Sequence, residues 1–278
     1  MVKLDSNGNT QWERQIGCSA TGSSGCDAGA SFVQQTSDGG YIVTGFGGTY
    51  PSYLSTGLVI KLSSTGAVQW QNTYGPMGIN PSIQQTRDGG YIVTSGEANT
   101  DGFAGWTDLA ALKLDSNGNI QWQKQYQDPF THCVLMGDGC DYVPNRTDGL
   151  SVRQTSDGGY IFAGYFGTYA GYNQGWLLRT NSSGNVQWQK SYSFAQEFLT
   201  VRQTSDGGFV SAGYGGQVMK VDANGNISSC SAIQNTAATI VSSLITTTAL
   251  SLPAASLSSS VTVSAAAGPV SVTSTKKC

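Results

Sequence analysis

The sequence predicts an all-β fold made of repeated four-stranded sheets, and three observations support this prediction. Glycine accounts for 37 of the 278 residues and proline for only 7, with many Tyr, Val, Ile, Thr and Trp residues between the glycines. This composition is typical of short strands joined by tight turns. An Asp-Gly-Gly motif recurs four times, and an Asn-Gly or related motif recurs out of phase with it. Repeats of about 40–50 residues with four strands each are typical of a β-propeller.

The Asp-Gly-Gly motif marks the predicted turn between the first and second strands of each repeat. In the first copy, "SFVQQTSDGG" at 31–40 is followed at once by "YIVTGFG". The other copies are "RDGGYIVT" at 87–94, "SDGGYIFA" at 156–163 and "SDGGFVSA" at 205–212. Asp and Gly tolerate the backbone angles of tight hairpins. We therefore interpret the motif as a structural turn, and a ring of Asp side chains that binds a metal or a sugar as the alternative.

The third and fourth strands follow a variable loop, as in "LVIKLSS" at 58–64 and "VQWQNTY" at 68–74. The turn between them includes "LDSNGN" at 4–9 and 114–119 and "VDANGN" at 221–226. These letters resemble the start of a calcium loop, but the later bidentate Glu and the flanking helices are missing from the pattern. Asn-Gly between strands is a strong hairpin signal, so a turn is the favoured interpretation.

The repeats predict four complete blades and an N-terminal half-blade that lacks its first two strands. The Asp-Gly-Gly turns are 50, 69 and 49 residues apart, and the longest interval contains an insertion at 127–149. The predicted propeller covers residues 1–234, with the half-blade at 1–17 and blades at about 30–75, 81–127, 150–193 and 198–233. A tryptophan recurs on the fourth strand and is expected to fill the space between neighbouring sheets. These residues are Trp12, Trp70, Trp122 and Trp188, and Ser229 replaces the tryptophan in the last blade.

The C-terminal tail, 235–278, is the second predicted unit. Residues 223–275 contain no charged side chain, and 260–264 and 270–274 alternate as strands do. An uncovered β-prone segment of this kind would aggregate, so the tail is expected to pair with the propeller. It would complete the half-blade to five blades in its own chain, or it would fill the half-blade or add to a sheet edge of a neighbouring molecule. The apolar residues expected to carry this pairing are Ile240, Leu244, Leu250, Leu252, Val261, Val263, Val270 and Val272.

The six cysteines predict an oxidising compartment. Cys18 and Cys26 are close in sequence, as are Cys133 and Cys140. Cys230 and Cys278 remain, and Cys278 could pair within the chain or between chains. We expect disulfides, and with them an extracellular or cell-surface location. The alternative is six reduced thiols. The start "MVKLDSNGN" does not read as a signal peptide, so a mature or truncated chain is expected.

The charge pattern argues against several classes of function. Only 11% of the residues are charged, the net charge is −3 and no basic run is present, so no nucleic-acid partner is predicted. No apolar run is long enough for a membrane span. His132 and the carboxylates of the insertion (Asp128, Asp138, Asp141 and Asp148) could hold a cation, but solvated side chains are the favoured interpretation. No catalytic residue, metal site or cofactor is predicted, and a hydrolase or lyase remains only an alternative hypothesis.

The full motif, QQT-[SR]-DGGYIVTG followed by KLDSNGN-x-QWQ, resembles a group of secreted bacterial and archaeal repeat proteins. The resemblance covers roughly residues 1–230, and both halves of the motif recur in register. It implies a β-propeller at the cell surface or outside the cell, with a Ser/Thr/Val-rich tail after the last blade in some members. It implies no catalytic residue.

These patterns predict an extracellular structural protein whose partner is another copy of itself. Each molecule would donate its tail strands to the next, building a filament or a surface layer. The alternative is a monomeric module that binds a glycan or a cell-surface ligand through aromatic residues in its rim loops. The aromatic residues proposed for that role are Tyr50, Tyr53, Trp106, Tyr169 and Tyr172.

Overall fold

A computed structural model gives the fold of the chain. It describes residues 1–16, 26–49, 56–75, 77, 81–98, 107–127, 131–136, 139–144, 146–167, 173–228, 233–236, 239–241, 246–249 and 254–255.

The described strands form sheets that follow the order of the repeats. The N-terminal sheet pairs β1 (Val2–Leu4) with β2 (Thr10–Glu13), and β3 (Gln15–Ile16) continues the second of these strands. Sheet 1 contains β4 (Cys26–Gln35), β5 (Tyr41–Thr49), β6 (Thr56–Leu62) and β7 (Val68–Gly75). Sheet 2 contains β8 (Ser82–Gln85), β9 (Tyr91–Ala98), β10 (Thr107–Leu114) and β11 (Ile120–Gln127).

The second half of the chain adds two more sheets, a separate hairpin and the tail. The hairpin pairs β12 (Thr131–Met136) with β13 (Gly139–Pro144). Sheet 3 contains β14 (Arg146–Gln154), β15 (Tyr160–Gly167), β16 (Asn173–Thr180) and β17 (Val186–Tyr192). Sheet 4 contains β18 (Phe198–Gln203), β19 (Phe209–Gly213) and β20 (Gln217–Val221), with a 3₁₀ turn at Tyr214–Gly216. The tail forms β21 (Ile233–Asn235), β22 (Thr239–Val241), β23 (Thr246–Ala249) and β24 (Ala254–Ala255).

Consecutive sheets pack face to face around buried apolar clusters. Between sheets 1 and 2 the cluster includes Val59 and Tyr74 from one sheet and Ile83 and Leu112 from the other. Equivalent clusters lie between sheets 2 and 3, between sheets 3 and 4, and between the N-terminal sheet and sheet 1. Every described strand pair within the sheets is antiparallel. The chain is therefore all-β, and its repeated antiparallel sheets are compatible with a propeller-like fold.

Each Asp-Gly-Gly motif forms a turn that is tied to the third strand of its own sheet. The Asp38 carboxylate accepts a hydrogen bond from the Gly40 N–H at 3.0 Å and pairs with the Lys61 ammonium at 2.7 Å. A side chain at Gly40 would collide with the Leu62 carbonyl oxygen, so close approach of the backbone requires glycine here. The same arrangement recurs at Asp88, Asp157 and Asp206. The motif thus forms a structural turn, as the sequence predicts.

The third-to-fourth strand turns are also structural. The Asp5 carboxylate accepts hydrogen bonds from the N–H groups of Asn7 and Asn9, at 2.9 and 2.8 Å. Asp115 and Asp222 repeat these bonds. The carboxylate therefore caps its own turn, which is the interpretation favoured over a calcium loop.

The fourth predicted blade is described only in part. Sheet 4 has three described strands, Ile227 and Ser228 lie outside any strand, and the rest of the predicted fourth strand, 229–232, lies outside the described residues. This repeat has Ser229 in place of the tryptophan, so it lacks the ring that binds this strand to a following sheet in the other repeats. The insertion at 127–149 contains the β12–β13 hairpin and the start of β14.

The tail strands lie elsewhere than the predicted gap in the half-blade. The sequence predicts that they replace the first two strands of the N-terminal sheet, or add to a sheet edge of a neighbouring molecule. Each described tail strand instead pairs with the last strand of a sheet. That edge has unpaired N–H and C=O groups, so it accepts a strand without any rearrangement of the sheet. Residues 256–278, the other part of the proposed assembly segment, lie outside the described residues.

Candidate assembly surface

The recurrent tryptophan connects each sheet to the next one. Trp70 lies edge-on to Tyr91 with the ring centroids 5.9 Å apart, and its indole N–H donates to the Ser116 carbonyl oxygen at 3.1 Å. Gly118 has a φ of +84°, and a side chain there would lie within 3 Å of the Trp70 ring. Trp12, Trp122 and Trp188 make the same edge-on contact with the next sheet. The rings thus lie where the sequence analysis places them, between neighbouring sheets.

A tyrosine four residues after the tryptophan adds a second link. The hydroxyl of Tyr74 donates to the Gly118 carbonyl oxygen at 2.6 Å. Tyr126 and Tyr192 donate in the same way to Gly184 and Gly225. Burial raises the pKa of Tyr74 to about 12, so the hydroxyl keeps its proton and remains a donor over the physiological pH range. Ile16 occupies this position in the N-terminal sheet, which therefore lacks the second link.

The tail extends four sheets by one strand each, in the reverse of their order along the chain. β21 pairs with β17, β22 with β11, β23 with β7, and β24 with β3. We call these four last strands (β3, β7, β11 and β17) the fourth-strand edges. Each ladder contains only two to four residue pairs, as in Thr248 opposite Thr73. The described parts of one segment of about 23 residues thus pair with the N-terminal sheet and with sheets 1, 2 and 3.

Thr236 anchors the start of the tail on sheet 3. The Trp176 indole is fully buried, and its N–H donates to the Thr236 hydroxyl at 2.9 Å. That hydroxyl donates in turn to the Gln189 side-chain oxygen at 3.0 Å. A buried indole N–H without a partner would be costly, so this contact couples the tail to the core. The sequence analysis missed Thr236, and no periodic pattern in the tail points to it.

The two ends of the stack of sheets expose apolar positions that are buried elsewhere. On the face of sheet 4 that points away from sheet 3, Val218 is 74% exposed. Its repeat equivalents Val59, Ala111 and Leu177 are completely buried by the following sheet. At the opposite end Leu4 is 48% exposed, whereas the equivalent Leu62 is completely buried. We call these the two end faces, centred on Val218 and on Leu4.

The first strand of sheet 1 is exposed for a related reason. Val33 is 58% exposed, although its equivalents Ile83, Val152 and Val201 are buried. No described strand of the N-terminal sheet covers Val33. An alignment of the four repeats does not single out Val33 or Val218, because their repeat equivalents are apolar as well.

Most of the predicted assembly residues lie outside the part of the chain that the structure describes. Ile240 is in β22, opposite Tyr126. Leu244, Leu250, Leu252, Val261, Val263, Val270 and Val272 lie outside the described residues. So do the aromatic residues proposed for ligand binding, Tyr50, Tyr53, Trp106, Tyr169 and Tyr172.

The predicted disulfides remain predictions. Cys133 lies opposite Tyr142, and Cys140 lies opposite Leu135, so this pair occupies diagonal positions of one hairpin. Cys26 begins β4. Cys18, Cys230 and Cys278 lie outside the described residues.

The remaining polar groups of the described ranges point to no reaction chemistry. Within those ranges, no group of three or more His, Cys, Asp and Glu side chains is placed to hold a metal ion. The carboxylates whose pKa values are shifted most belong to the turns. Burial raises the pKa of Asp88, but hydrogen bonds from Lys113, Thr86 and the Gly90 N–H outweigh burial and lower it to about 2. An ion pair that stabilises a folded turn also lowers the pKa of its carboxylate. A pKa lowered in this way does not by itself indicate catalysis.

Comparisons with known proteins identify no family for this chain. Within the described residues, the structure has no helix whose length and hydrophobicity would let it cross a lipid bilayer. No protein-family model matches the chain. No curated protein sequence matches it with significance.

Proposed function

We propose that the protein is an extracellular structural protein that assembles with copies of itself by exchanging tail strands. The observation that carries the proposal is the pairing of the tail with the fourth-strand edges. Those edges accept this segment in the antiparallel direction, with backbone ladders that do not depend on which molecule supplies the strand. A pairing that forms within one chain can form between chains with the same contacts, which is the basis of domain swapping.

The short ladders favour exchange. β24 contributes only two residue pairs and β22 only three, so each joint can open without disruption of the blade beneath it. Opening also leaves an exposed strand edge that must pair again. At high protein concentration, a neighbouring chain competes for that edge.

The end faces support the same function. Among the described residues, no sheet covers the end face centred on Val218 or the end face centred on Leu4. Within the molecule, faces of these two kinds pack together at the other sheet boundaries. A second copy would cover both, so that sheet 4 of one chain precedes the N-terminal sheet of the next.

The extracellular location is part of the proposal. Its support is the set of six cysteines and the resemblance of the repeat to secreted propeller proteins. No contact among the described residues specifically favours the alternative glycan-binding function.

A cross-linking experiment tests the exchange. Thr73 and Thr248 lie directly opposite each other in the β7–β23 ladder, where Cβ atoms are about 4.5–5.5 Å apart and a disulfide can form. Thr73→Cys and Thr248→Cys are made in separate chains of different tag length, mixed, assembled and oxidised. We expect a mixed covalent dimer on a non-reducing gel that disappears with reductant.

The controls separate exchange from pairing within one chain. Thr247→Cys mixed with Thr73→Cys should give no dimer, because Thr247 is opposite Tyr74 and adjacent residues point to opposite faces. Electron micrographs of the unmodified protein should show filaments or layers, and deletion of 237–278 should abolish them. Cross-linked monomers of a chain that carries both cysteines, without any mixed dimer, would overturn the proposal. So would polymers that survive the deletion.

A further inference from the structure

Two arginines replace glutamine at a repeated position on the first strands of the sheets. The first strands β4, β8, β14 and β18 converge, since β4 contacts β8, and β14 contacts both β8 and β18. Two residues before the Thr of each Asp-Gly-Gly turn, sheets 1 and 2 have Gln34 and Gln84, but sheets 3 and 4 have Arg153 and Arg202. Because the surrounding pattern repeats, this change is not needed to build the blade.

The glutamines at this position have a structural role that arginine cannot take over. The Gln34 side-chain oxygen accepts a hydrogen bond from the Gln85 N–H at 2.9 Å, and the Gln84 oxygen accepts one from the Gln154 N–H at 2.6 Å. These bonds connect each first strand to the next. Arginine has only donors, so Arg153 cannot make the corresponding bond to sheet 4.

Arg153 is buried with an unused donor. Its exposed fraction is 7%, and one terminal nitrogen donates to the Val152 carbonyl oxygen at 2.6 Å. Its Nε–H is buried and has no hydrogen-bond partner. The guanidinium lies over the Phe32 ring, 5.6 Å from its centroid. The ring covers the face of the cation, whereas the Nε edge has no hydrogen-bond partner.

Arg179 in the same sheet shows how a buried arginine is normally satisfied. It is equally buried, but it pairs with the Asp157 carboxylate at 2.5 Å and donates to the Thr155 hydroxyl. The four ion pairs found among the described residues involve neither Arg153 nor Arg202. Burial, and then the nearby charge of Arg202, lower the pKa of Arg153 to about 10. Arg202 therefore lies near enough for its charge to act on Arg153, and neither arginine has an ion-pair partner among the described residues.

We propose that Arg153 and Arg202 bind an oxyanion where the first strands converge. The ligand group is a carboxylate, a sulfate or a phosphate. The Nε edge of Arg153 is the main donor, because the planar fork of arginine matches two oxygens of such a group. Arg202 is exposed and supplies the second positive charge from the solvent side. None of the contacts named for the site involves a described tail residue, so the proposal does not rest on the proposed assembly.

Calorimetric titration of the full chain with sodium sulfate, sodium phosphate and sodium acetate tests the site, with sodium chloride at the same ionic strength as the reference. We expect saturable binding of one oxyanion per chain. Arg153→Gln, which restores the residue of sheets 1 and 2, should weaken binding at least about tenfold, because a charge-assisted bond is lost. Arg202→Gln should weaken it less. Binding of acetate alone would identify a carboxylate ligand, and binding of sulfate or phosphate would identify a sulfated or phosphorylated one.

Arg87→Ser is the matched control. It removes one positive charge from an exposed turn and restores the residue of the other three repeats, so binding should be unchanged. Arg153→Lys keeps the charge but lacks the Nε edge, and it should also bind weakly if it folds. Near-ultraviolet circular dichroism checks the fold of each variant, and Arg202→Gln is the test if both Arg153 variants unfold. The absence of saturable binding to the unmodified chain would overturn the proposal, as would wild-type affinity in all the folded variants of Arg153 and Arg202.

Discussion

Lys113 shows how single residues hold the turns of the blades in place. Its side chain is 5% exposed, and its ammonium pairs with the Asp88 carboxylate at 2.8 Å and with the Gln121 side-chain oxygen at 3.1 Å. In sheet 4 the side chain of the equivalent Lys220 is 46% exposed, and no described sheet follows to cover it. The ion pair in sheet 4 therefore contributes less to stability than the ion pair in sheet 2, because solvent screens the exposed pair.

At the residue scale, we predict that Asp88→Asn destabilises the protein by about 1–2 kcal/mol near neutral pH, because the buried Lys113 loses its anion. The Asp88 pKa is lowered from 3.8 to about 2, so its contribution is present above about pH 4 and is lost as the pH falls towards 2. Urea unfolding of both proteins over this range should show the difference shrinking with acidity. A difference that stays constant would contradict this account. Asp206→Asn is the control and should have a smaller effect at every pH.

The elements differ in how firmly they are held. The strands of sheets 1 to 3 are paired on both sides or face a neighbouring sheet, whereas the tail strands have only short ladders. β21 is the exception, because Thr236 follows it directly and accepts the hydrogen bond from the buried Trp176. We infer that the tail is fixed at its start and is more easily released further along.

At the element scale, we predict that Thr236→Val destabilises sheet 3 by about 1–3 kcal/mol, because the fully buried Trp176 N–H loses its acceptor. Thr236→Ser keeps the hydroxyl and should remain within about 0.5 kcal/mol of the unmodified protein. Thermal unfolding measures the stability, and amide hydrogen exchange of Gln234 and Asn235 measures the release of β21. Equal stability of the Val and Ser variants would show that the contact does not anchor the tail.

On the scale of the whole molecule, the stack of sheets has two open end faces. Val218 and Leu4 occupy positions that are apolar in most of the other repeats. Their equivalents there are buried, but no described residue covers Val218 or Leu4 to the same extent. Exposed apolar faces of this kind mark contact surfaces between proteins.

At this scale, we predict that Val218→Lys weakens self-association and leaves the stability of the monomer within about 0.5 kcal/mol, because the position is exposed before assembly. Light scattering over a range of protein concentrations measures the association. Ser205→Lys is the matched control, since the same turn position carries Arg87 in sheet 2, and it should associate normally. If both lysine variants associate equally well, the end face of sheet 4 is not part of the assembly.

The sequence was sufficient to predict the strand order within each repeat, both kinds of turn and the position of the tryptophan rings. These features depend on short-range chemistry. Asp and Gly form the same hairpin wherever they follow a strand, and an alternating pattern determines which face of that strand is buried. The sequence was not sufficient to predict the contact of Thr236 or the exposed end face at Val218. Neither residue differs in type from the many Thr and Val residues around it.

The sequence by itself determined that the chain is all-β, that its unit is a four-stranded sheet and that its tail needs a strand partner. Only the tertiary structure decided where the tail pairs. Backbone ladders carry little sequence information, so any open edge could accept an uncharged β-prone segment. The tertiary structure also distinguished Arg153 from Arg179. Both are buried arginines in one sheet, and only their neighbours in space show that one has an anion and the other does not.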